Sequence, residues 1–303
     1  MPDIRGGLRL LLALVALCAA TVGFAAPTGP LLLDATFAGE SIVTVGERGL
    51  IRRSTDGGKT WITSDPVVPY TLCAVSFADA RNGWAAGHGA VVLRTTDGGL
   101  SWQHQYTGPD PESPFLDLLA LDGGHLIAIG AFGSYFVSHD AGATWEQEWI
   151  LDEDMHLNRI TRMADGTLFI AGEMGALLRS SDNGVTWDTL DTGEDGSLYG
   201  VMELSDHTLL AYGLRGRVYR STDRGDSWTA VKTPGTGLLM TGIELGAART
   251  IILAGQARTW WMSRDGGRTF TAPTDRTPSI AEVLLTPAGQ LLTFGENGVN
   301  PAP

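Results

Sequence analysis

One eight-residue motif recurs six times along the chain at a nearly constant spacing. It reads Ser/Thr-x-Asp-x-Gly-x-Ser/Thr and ends in an aromatic residue. Successive aspartates are 41, 43, 42, 41 and 42 residues apart. The aspartates are Asp56, Asp97, Asp140, Asp182, Asp223 and Asp265, and the aromatic residues are Trp61, Trp102, Trp145, Trp187, Trp228 and Phe270. A fixed period of this length indicates a repeat architecture built from one supersecondary unit.

Short β-rich runs and glycines fill the period between motifs. A glycine stands eight residues before each motif and usually opens a Gly-x-x-Gly turn, and apolar runs such as Leu168 to Ala171 precede it. Four short strands in about 42 residues are typical of a propeller blade. We therefore predict an all-β fold, a seven-bladed β-propeller of four-stranded antiparallel blades with an incomplete last blade. The predicted units are about 31–66, 71–108, 115–151, 157–193, 198–234, 239–274 and 280–303.

The motif suits a tight turn between the third and fourth strands of each unit. Its glycines allow positive φ angles, and its aspartate can accept backbone N–H groups inside its own turn. The aromatic residue begins the fourth strand and is expected to be buried against the sheet. Because the six copies are symmetric, we predict a structural role for these aspartates and aromatic residues and no catalytic residue among them.

The N-terminal 25 residues have the pattern of a secretory signal peptide. Arg5 and Arg9 precede an apolar run from Leu10 to Ala20, and small residues lead up to Ala25. We predict cleavage after Ala25, which leaves residues 26–303 as a single propeller domain in the periplasm or outside the cell. Lipidation of Cys18 is the alternative, but Leu17 stands where a small residue is expected.

Charge and histidine placement exclude several function classes. The chain carries a formal net charge of −13, which argues against nucleic acid or an anionic membrane surface as the main partner. Its six histidines are scattered without metal-ligand spacing, so we expect no metal and no cofactor. After cleavage Cys73 is the one remaining cysteine, so no internal disulfide can form. We expect a soluble monomer that does not insert into membranes.

The motif resembles the Asp-box or BNR repeat, and its extended form resembles the photosystem II stability and assembly factor family. That form adds Gly-x-x-Gly and an arginine before the serine; Arg179 and Arg220 complete it, whereas Val137 and Met262 depart from it. The resemblance implies a non-catalytic scaffold that helps a membrane protein complex to assemble, and an RND-type transporter is the client we expect in a bacterium without photosystems. Asp-boxes also occur in glycosidases, so fold and function are separate inferences.

A partner-binding face follows from the propeller topology. Turns between second and third strands share one face with the connectors between blades. The turns bring Arg48, Arg215 and Arg258 to this face, and the connectors bring Asp152, Asp154 and Glu194. We predict that these six residues bind a protein partner, because a face that carries both positive and negative charges can fix the orientation of a partner. The alternative is that the connectors are polar only because they are solvated.

A glycan-binding or sialidase-like propeller is the alternative function. The chain has no Arg-Ile-Pro segment, and its tight period leaves no insertion that could build a substrate pocket. Paired carboxylates among Asp152, Glu153, Asp154 and Glu173 leave glycoside hydrolysis open. Strand alignment also predicts that Arg162, Glu203 and Glu244 approach one another in the central channel, as an ion-pair network or a ligand site.

The last unit is short of strands. After Gly298 only five residues remain, and Pro301 and Pro303 cannot donate ladder hydrogen bonds, which argues against a normal third strand. Pro27 to Leu32 is a candidate outer strand for this blade. If it does not pair there, an open edge remains that can accept a strand from a partner.

Overall fold

The computed structural model describes residues 29–246, 248–273 and 278–302, and these form seven antiparallel sheets arranged as the blades of a propeller. The predicted all-β, seven-bladed fold is confirmed. The predicted signal peptide, residues 1–25, lies outside the described residues. No helix in the described part of the chain is long and apolar enough to span a bilayer.

Blades 1 to 5 each have four strands in simple up-and-down order. Blade 1 is β1 Leu32–Ala38, β2 Ser41–Gly46, β3 Ile51–Ser54 and β4 Ile62–Thr63; blade 2 is β5 Leu72–Phe77, β6 Gly83–Gly87, β7 Val91–Thr95 and β8 Gln103–Thr107; blade 3 is β9 Phe115–Ala120, β10 Leu126–Gly130, β11 Tyr135–Ser138 and β12 Glu146–Glu148; blade 4 is β13 Leu157–Arg162, β14 Leu168–Gly172, β15 Leu177–Ser180 and β16 Asp188–Thr189; blade 5 is β17 Leu198–Glu203, β18 Leu209–Gly213, β19 Val218–Ser221 and β20 Thr229–Ala230.

Blades 6 and 7 each have three strands among the described residues. Blade 6 is β21 Leu239–Leu245, β22 Thr250–Gly255 and β23 Trp260–Ser263, and blade 7 is β24 Ile280–Leu285, β25 Leu291–Gly295 and β26 Gly298–Pro301. In blade 6 a single bridge between Met262 and Thr271 stands where blades 1 to 5 have a fourth strand. Pro273, two residues further on, has no N–H with which to extend that pairing. Single 3-10 turns span Glu47–Gly49, His88–Ala90, Asp122–Gly124, Ala131–Gly133 and Leu214–Gly216.

The first strands of the blades form a closed ring around a central channel. Each first strand lies beside the next, and β1 lies beside β24, so blade 7 meets blade 1. The second strands of blades 1 to 5 are buried along their whole length, and those of blades 6 and 7 are buried after their first residue. Seven apolar clusters fill the space between neighbouring blades, one at each junction. The core is therefore divided among the junctions, and each blade is stabilised by both neighbours.

Each aspartate turn is closed by its own side chains. In blade 1 the Asp56 carboxylate accepts the backbone N–H of Thr60 at 2.9 Å and the Thr60 hydroxyl at 2.6 Å. Ser54 Oγ donates to Asp56 at 2.8 Å and accepts the N–H of Gly58 at 2.9 Å. The same bonds recur in the other five turns. The carboxylate oxygens of each motif aspartate accept hydrogen bonds from residues of the same turn, as the sequence predicts.

The aspartate turns also fasten neighbouring blades together. Arg53 at the end of β3 donates to Gly98 O in the turn of blade 2 at 2.8 Å, and Arg220 in blade 5 donates to Gly266 O in blade 6 at 2.9 Å. Met262 stands in the place of this arginine in blade 6, and Val137 does so in blade 3. The arginine of the extended motif therefore links neighbouring blades at Arg53, Arg179 and Arg220. In blade 2 the guanidinium of Arg94 instead lies over the ring of Trp84 in its own blade.

The motif's aromatic residues are buried less evenly than predicted. Trp102 and Phe270 are buried, each at 6% exposure, whereas the other four are half-buried. Trp145 stacks on Tyr106 of the preceding blade at 5.7 Å between ring centres, and Trp61 meets Phe294 of blade 7 edge-on. These rings lie at the junctions between blades, where solvent reaches their outer edges.

The last blade does have a third strand, so the expectation that the prolines exclude it is wrong. Strand β26 pairs with β25 from Gly298 to Pro301. Ala302 N donates to Leu291 O at 2.9 Å, so residues that alternate with Pro301 form the ladder bonds and the proline nitrogen faces the outer edge. Proline is tolerated at that edge. Residues 29–31 form no outer strand on this blade, and residues 27 and 28 lie outside the described residues.

Candidate functional site

The two faces of the ring carry different kinds of turn. One face, which we call the turn face, bears the turns between second and third strands and the connectors between blades. The opposite, Asp-turn face bears the aspartate turns. On the turn face a non-glycine residue stands at the tip of five of the turns with a positive φ angle, between 53° and 62°; these residues are Arg48, Phe132, Met174, Arg215 and Arg258. Left-handed backbone at side chains other than glycine also occurs in the aspartate turns of the opposite face, at Ala141, Asn183 and Arg224. It therefore belongs to the geometry of these tight turns and does not by itself mark a binding surface.

The three predicted arginines stand at these tips. Arg48, Arg215 and Arg258 belong to blades 1, 5 and 6 and are all exposed. The turn around Arg48 is held by Gly46 N, which donates to Leu50 O at 3.0 Å. The tip side chain is directed outward because the turn's own backbone groups bond to each other beneath it.

The predicted acidic residues lie in the connectors on either side of blade 4. Asp152 and Asp154, between blades 3 and 4, are exposed. Glu194, between blades 4 and 5, is half-buried: it accepts hydrogen bonds from the Tyr219 hydroxyl and from Gly196 N, and it lies 3.6 Å from Arg217. The carboxylate of Glu194 therefore also holds its own connector in place.

Exposed apolar side chains on the same face were missed by the sequence analysis. Phe132 is 52% exposed, Met174 is 69% exposed and Trp149, at the end of the last strand of blade 3, is 66% exposed. Phe132 and Met174 occupy tip positions that the repeat alignment already identifies. Trp149 follows a strand of exposed residues, so no periodicity marks it. The Asp-turn face also exposes Leu100 and Val185, but Phe132 and Trp149 are aromatic, and exposed aromatic side chains are typical of a protein-binding surface.

A buried ionic cluster lies in the central channel, at the turn-face end. Each of the seven first strands has a register shift near its start, and the cluster lies at the position that follows this shift. The residues at that position are Asp34, Ala74, Asp117, Arg159, Gly200, Thr241 and Glu282, of which Asp34, Asp117, Arg159 and Glu282 are ionisable. The Arg159 guanidinium lies 3.7 Å from Asp34, 3.7 Å from Asp117 and in direct contact with Glu282. One arginine therefore joins carboxylates from blades 1, 3 and 7.

Backbone and hydroxyl groups satisfy the rest of this cluster. Asp34 accepts Val75 N at 2.8 Å, Asp117 accepts Ile160 N at 2.8 Å, and Glu282 accepts the Thr241 hydroxyl at 2.6 Å. Each of these bonds comes from a different blade from its acceptor. The cluster fastens blades across the channel, which is consistent with a structural role.

Burial perturbs the acids of the cluster. Burial raises the pKa of Asp34 to about 8, against the attraction of Arg159 and with further increases from Glu282 and Asp117. Burial also raises the pKa of Asp117, and Arg159 opposes it. Cys73, beside the cluster, has a pKa raised to about 12 by burial and by the two aspartates. Near neutral pH Asp34 therefore holds a proton, which reduces the excess of negative charge around Arg159.

Arg162, Glu203 and Glu244 line one cavity, as predicted, but no ion pair forms between Arg162 and either glutamate. Arg162 pairs with Asp122 at 3.4 Å, while Glu203 and Glu244 each accept a backbone N–H from the preceding blade, from Ala164 and Ser205 respectively. The sequence alignment of the first strands selected positions two or three residues after those of the ionic cluster, and these positions lie nearer the Asp-turn face. Among the described residues, no three or more His, Cys, Asp or Glu side chains are grouped as metal ligands.

Solved structures with the same fold include a binding protein and an enzyme. A structure described as YCF48 bound to D1 peptide is 22% identical, has a TM-score of 0.74 and matches 91% of this chain and 94% of its own. A GH74 xyloglucanase from Xanthomonas campestris is 14% identical, has a TM-score of 0.72 and matches 91% of this chain and 52% of its own. At these identities the similarity shows the fold alone.

Sequence comparison is more specific. The photosystem II assembly lipoprotein Ycf48 of Synechococcus sp. strain CC9902 is 28% identical over 156 residues, which are 50% of this chain and 45% of that protein. The chain thus spans less than half the length of the curated relatives it matches. The model of the family described as photosynthesis system II assembly factor YCF48 matches residues 22–109 and 110–242. On that match, which covers well over half of its length, this chain belongs to the photosystem II assembly factor YCF48 family.

Proposed function

We propose that this chain is an exported, non-catalytic propeller that binds a protein partner through its turn face and assists the assembly of a membrane protein complex. One relative is named a photosystem II assembly lipoprotein, and one solved propeller of this fold is described as bound to a D1 peptide. Both names support a peptide- or protein-binding role. The lipoprotein name also supports export, together with the signal-peptide pattern of residues 1–25.

The observation that carries this proposal is the composition of the turn face. Exposed arginines at the tips of blades 1, 5 and 6 face exposed carboxylates in the connectors around blades 3 and 4, and large apolar side chains stand between the acidic positions. Apolar anchors supply binding energy, and charges of two signs fix the orientation of a partner. The partner-binding set in the proposal is Arg48, Arg215, Arg258, Asp152, Asp154 and Glu194.

The proposed client is a membrane protein complex, and an RND-type transporter is the candidate in a host without photosystems. The chain acts as a monomer in this proposal, in the periplasm or outside the cell. The six aspartate turns act as Asp-box scaffolding and take no part in binding.

Glycan binding or cleavage is the second candidate, and the xyloglucanase of the same fold favours it. Glycoside hydrolysis needs two carboxyl groups open to the sugar. Asp34, Asp117 and Glu282 are the central carboxyls, but all three are buried and bonded to Arg159 or to backbone N–H groups. The carboxylates that the sequence suggested, Asp152, Glu153 and Asp154, are exposed in a single connector, and Glu173 pairs with His156 at 3.2 Å. We therefore favour the binding platform over the hydrolase.

Affinity capture from crosslinked envelope extract tests the proposal. The tagged protein is compared with a copy that carries Arg48→Glu, Arg215→Glu and Arg258→Glu, and bound proteins are identified by mass spectrometry. A matched control with the same charge change carries Lys59→Glu, Arg264→Glu and Arg268→Glu, all exposed and on the Asp-turn face.

The expected result is a membrane protein that is captured by the wild type and the control and is lost from the turn-face variant. Equal capture by all three proteins would exclude the arginines as the interface. If no protein is enriched by the wild type, the binding platform loses its support, and glycan arrays and hydrolase assays test the second candidate.

A further inference from the structure

A groove on the turn face between blades 2 and 3 combines aromatic walls with an acidic rim. Its volume is about 300 Å³. Phe115 and Phe136 form its buried floor, and Phe132 and Trp149 stand at its sides. Asp110 and Asp154, from the two adjoining connectors, lie at its rim. The predicted partner residue Asp154 is thus part of a shaped site as well as of a charged face.

The charge around this groove has one sign. No lysine or arginine occurs between Arg94 and Arg159, a segment that includes all of blade 3 and both connectors beside it, whereas eleven Asp and Glu residues do. None of the side chains that line the groove in the described structure is basic. Asp110 accepts the Ser113 hydroxyl at 2.5 Å and Glu112 N at 3.0 Å, and these bonds lower its pKa, so this rim carboxylate stays ionised near neutral pH.

Aromatic faces and carboxylates together select a cation. The faces of Trp and Phe rings carry partial negative charge and attract guanidinium and ammonium groups within about 6 Å of the ring centre. Carboxylates add ordinary charge attraction and hydrogen-bond acceptors. A volume of about 300 Å³ lies at the lower limit for small-ligand pockets. That size suits one long side chain better than a whole cofactor.

We propose that this groove binds one arginine or lysine side chain from an exposed basic segment of the partner protein. The proposal rests on the proposed function and specifies the partner's chemistry: a cationic residue enters between Phe132 and Trp149, and its charged end meets Asp110 and Asp154. The partner's acidic residues, by charge complementarity, face Arg48, Arg215 and Arg258 elsewhere on the turn face.

Binding of a defined peptide tests the groove without knowledge of the partner. The probe is a fluorescein-labelled peptide of alternating arginine and glycine, and affinity is measured by fluorescence anisotropy. The matched peptide contains citrulline in place of arginine, which keeps the shape of the side chain and removes its charge. Trp149→Ala and Asp154→Asn are the groove variants, and both residues are exposed, so the fold should be retained. Val185→Ala, an exposed apolar residue on the Asp-turn face, is the control.

We expect the arginine peptide to bind the wild type and Val185→Ala equally. Trp149→Ala should weaken its binding by about threefold to thirtyfold, since a cation–π contact has that range of strength. Asp154→Asn should weaken it too, most strongly at low salt. The citrulline peptide should not bind measurably.

Three results would overturn the proposal: no binding of the arginine peptide, equal binding of the citrulline peptide, or affinities unchanged by both groove variants. An NMR titration locates the contact independently, because the indole N–H signal of Trp149 should shift while that of Trp187 does not. Failure of the groove is distinguishable from failure of the proposed function. In the first case, envelope capture still depends on Arg48, Arg215 and Arg258; in the second, no protein is captured.

Discussion

The guanidinium of Arg159 on blade 4 lies 3.7 Å from the carboxylate of Asp34 on blade 1, across the central channel. The same guanidinium also reaches Asp117 on blade 3 and Glu282 on blade 7. Neighbouring blades are joined by apolar packing, but blades 1 and 4 are not neighbours. Arg159 therefore stabilises the ring as a whole, and its loss should affect all blades together.

Arg159→Met should destabilise the protein by about 3–5 kcal/mol at pH 8, because it leaves three buried carboxyl groups without their cation. Arg162→Met is the control, since Arg162 pairs with the exposed Asp122 and should contribute less than about 1 kcal/mol. Urea unfolding gives both values. Similar midpoints for the two variants would show that the channel cluster does not hold the ring.

Asp34 should make the protein less stable as pH rises from 4 to 8. Its pKa is about 8 in the folded state and near 3.8 when unfolded, so in that window the folded state keeps a proton that the unfolded state loses. The stabilising contribution is complete below pH 4 and is lost by pH 8. Asp34→Asn cannot lose the proton, so its urea midpoint should vary less with pH. A slope equal to that of the wild type would contradict this assignment.

Below pH 4 the aspartate turns should act in the opposite direction. Hydrogen bonds from Thr60 and Ser54 lower the pKa of Asp56 to about 2. A lowered pKa adds stability above the unfolded value, and that stability is lost as pH falls toward 2. Unfolding measured from pH 5 to pH 2 should therefore show a second decline. Stability that stays constant down to pH 2 would mean that these bonds do not form.

Adjacent glycines in the first aspartate turn should respond differently to alanine. Gly57 and Gly58 both have positive φ angles, of 73° and 87°. A Cβ on Gly57 meets nothing within 4 Å, but a Cβ on Gly58 would lie 2.5 Å from the buried side chain of Leu292 in blade 7. Gly57→Ala should cost about 1–2 kcal/mol from backbone strain alone, and Gly58→Ala should cost more. Equal losses in thermal unfolding would mean that this turn does not seal the junction between blades 7 and 1.

Replacement of a motif tryptophan by alanine should destabilise the protein more where the tryptophan is buried than where it is half-buried. Trp102 is buried and packs edge-on against Phe77, so Trp102→Ala should cost about 3–5 kcal/mol. Trp187 is half-buried and donates to the Tyr135 hydroxyl at 3.2 Å, so Trp187→Ala should cost less. Chemical unfolding of the two variants measures the difference, and a larger loss for Trp187→Ala would contradict the burial seen here.

Local geometry explains which features could be predicted from sequence. The aspartate turns and the turns that carry Arg48, Arg215 and Arg258 are set by glycines and short-range hydrogen bonds, so each repeat encodes them completely. The period of the repeat then gives the blade count. The role of Arg53 and Arg220 could not be predicted, because their acceptors lie in the next blade, more than 40 residues away.

The channel cluster was missed for a related reason. A β-bulge near the start of most first strands changes the inward-facing register, so an alignment that assumes regular strands selects Arg162, Glu203 and Glu244 instead. An acidic residue two positions after a buried apolar one, as at Asp34, Asp117 and Glu282, is the signal that could have found it. Pro301 was misjudged because only pairing shows which edge its nitrogen faces.

The central claim is that the turn face contacts the partner, and site-specific photocrosslinking tests it most directly. A photoreactive p-benzoylphenylalanine is placed at Phe132 or Met174 on the turn face, or at Leu100 or Val185 on the Asp-turn face; all four positions are exposed. After irradiation of intact cells, crosslinks to one membrane protein should form from Phe132 and Met174 and not from Leu100 or Val185. Crosslinks from the Asp-turn positions alone, or from none of the four, would contradict the claim.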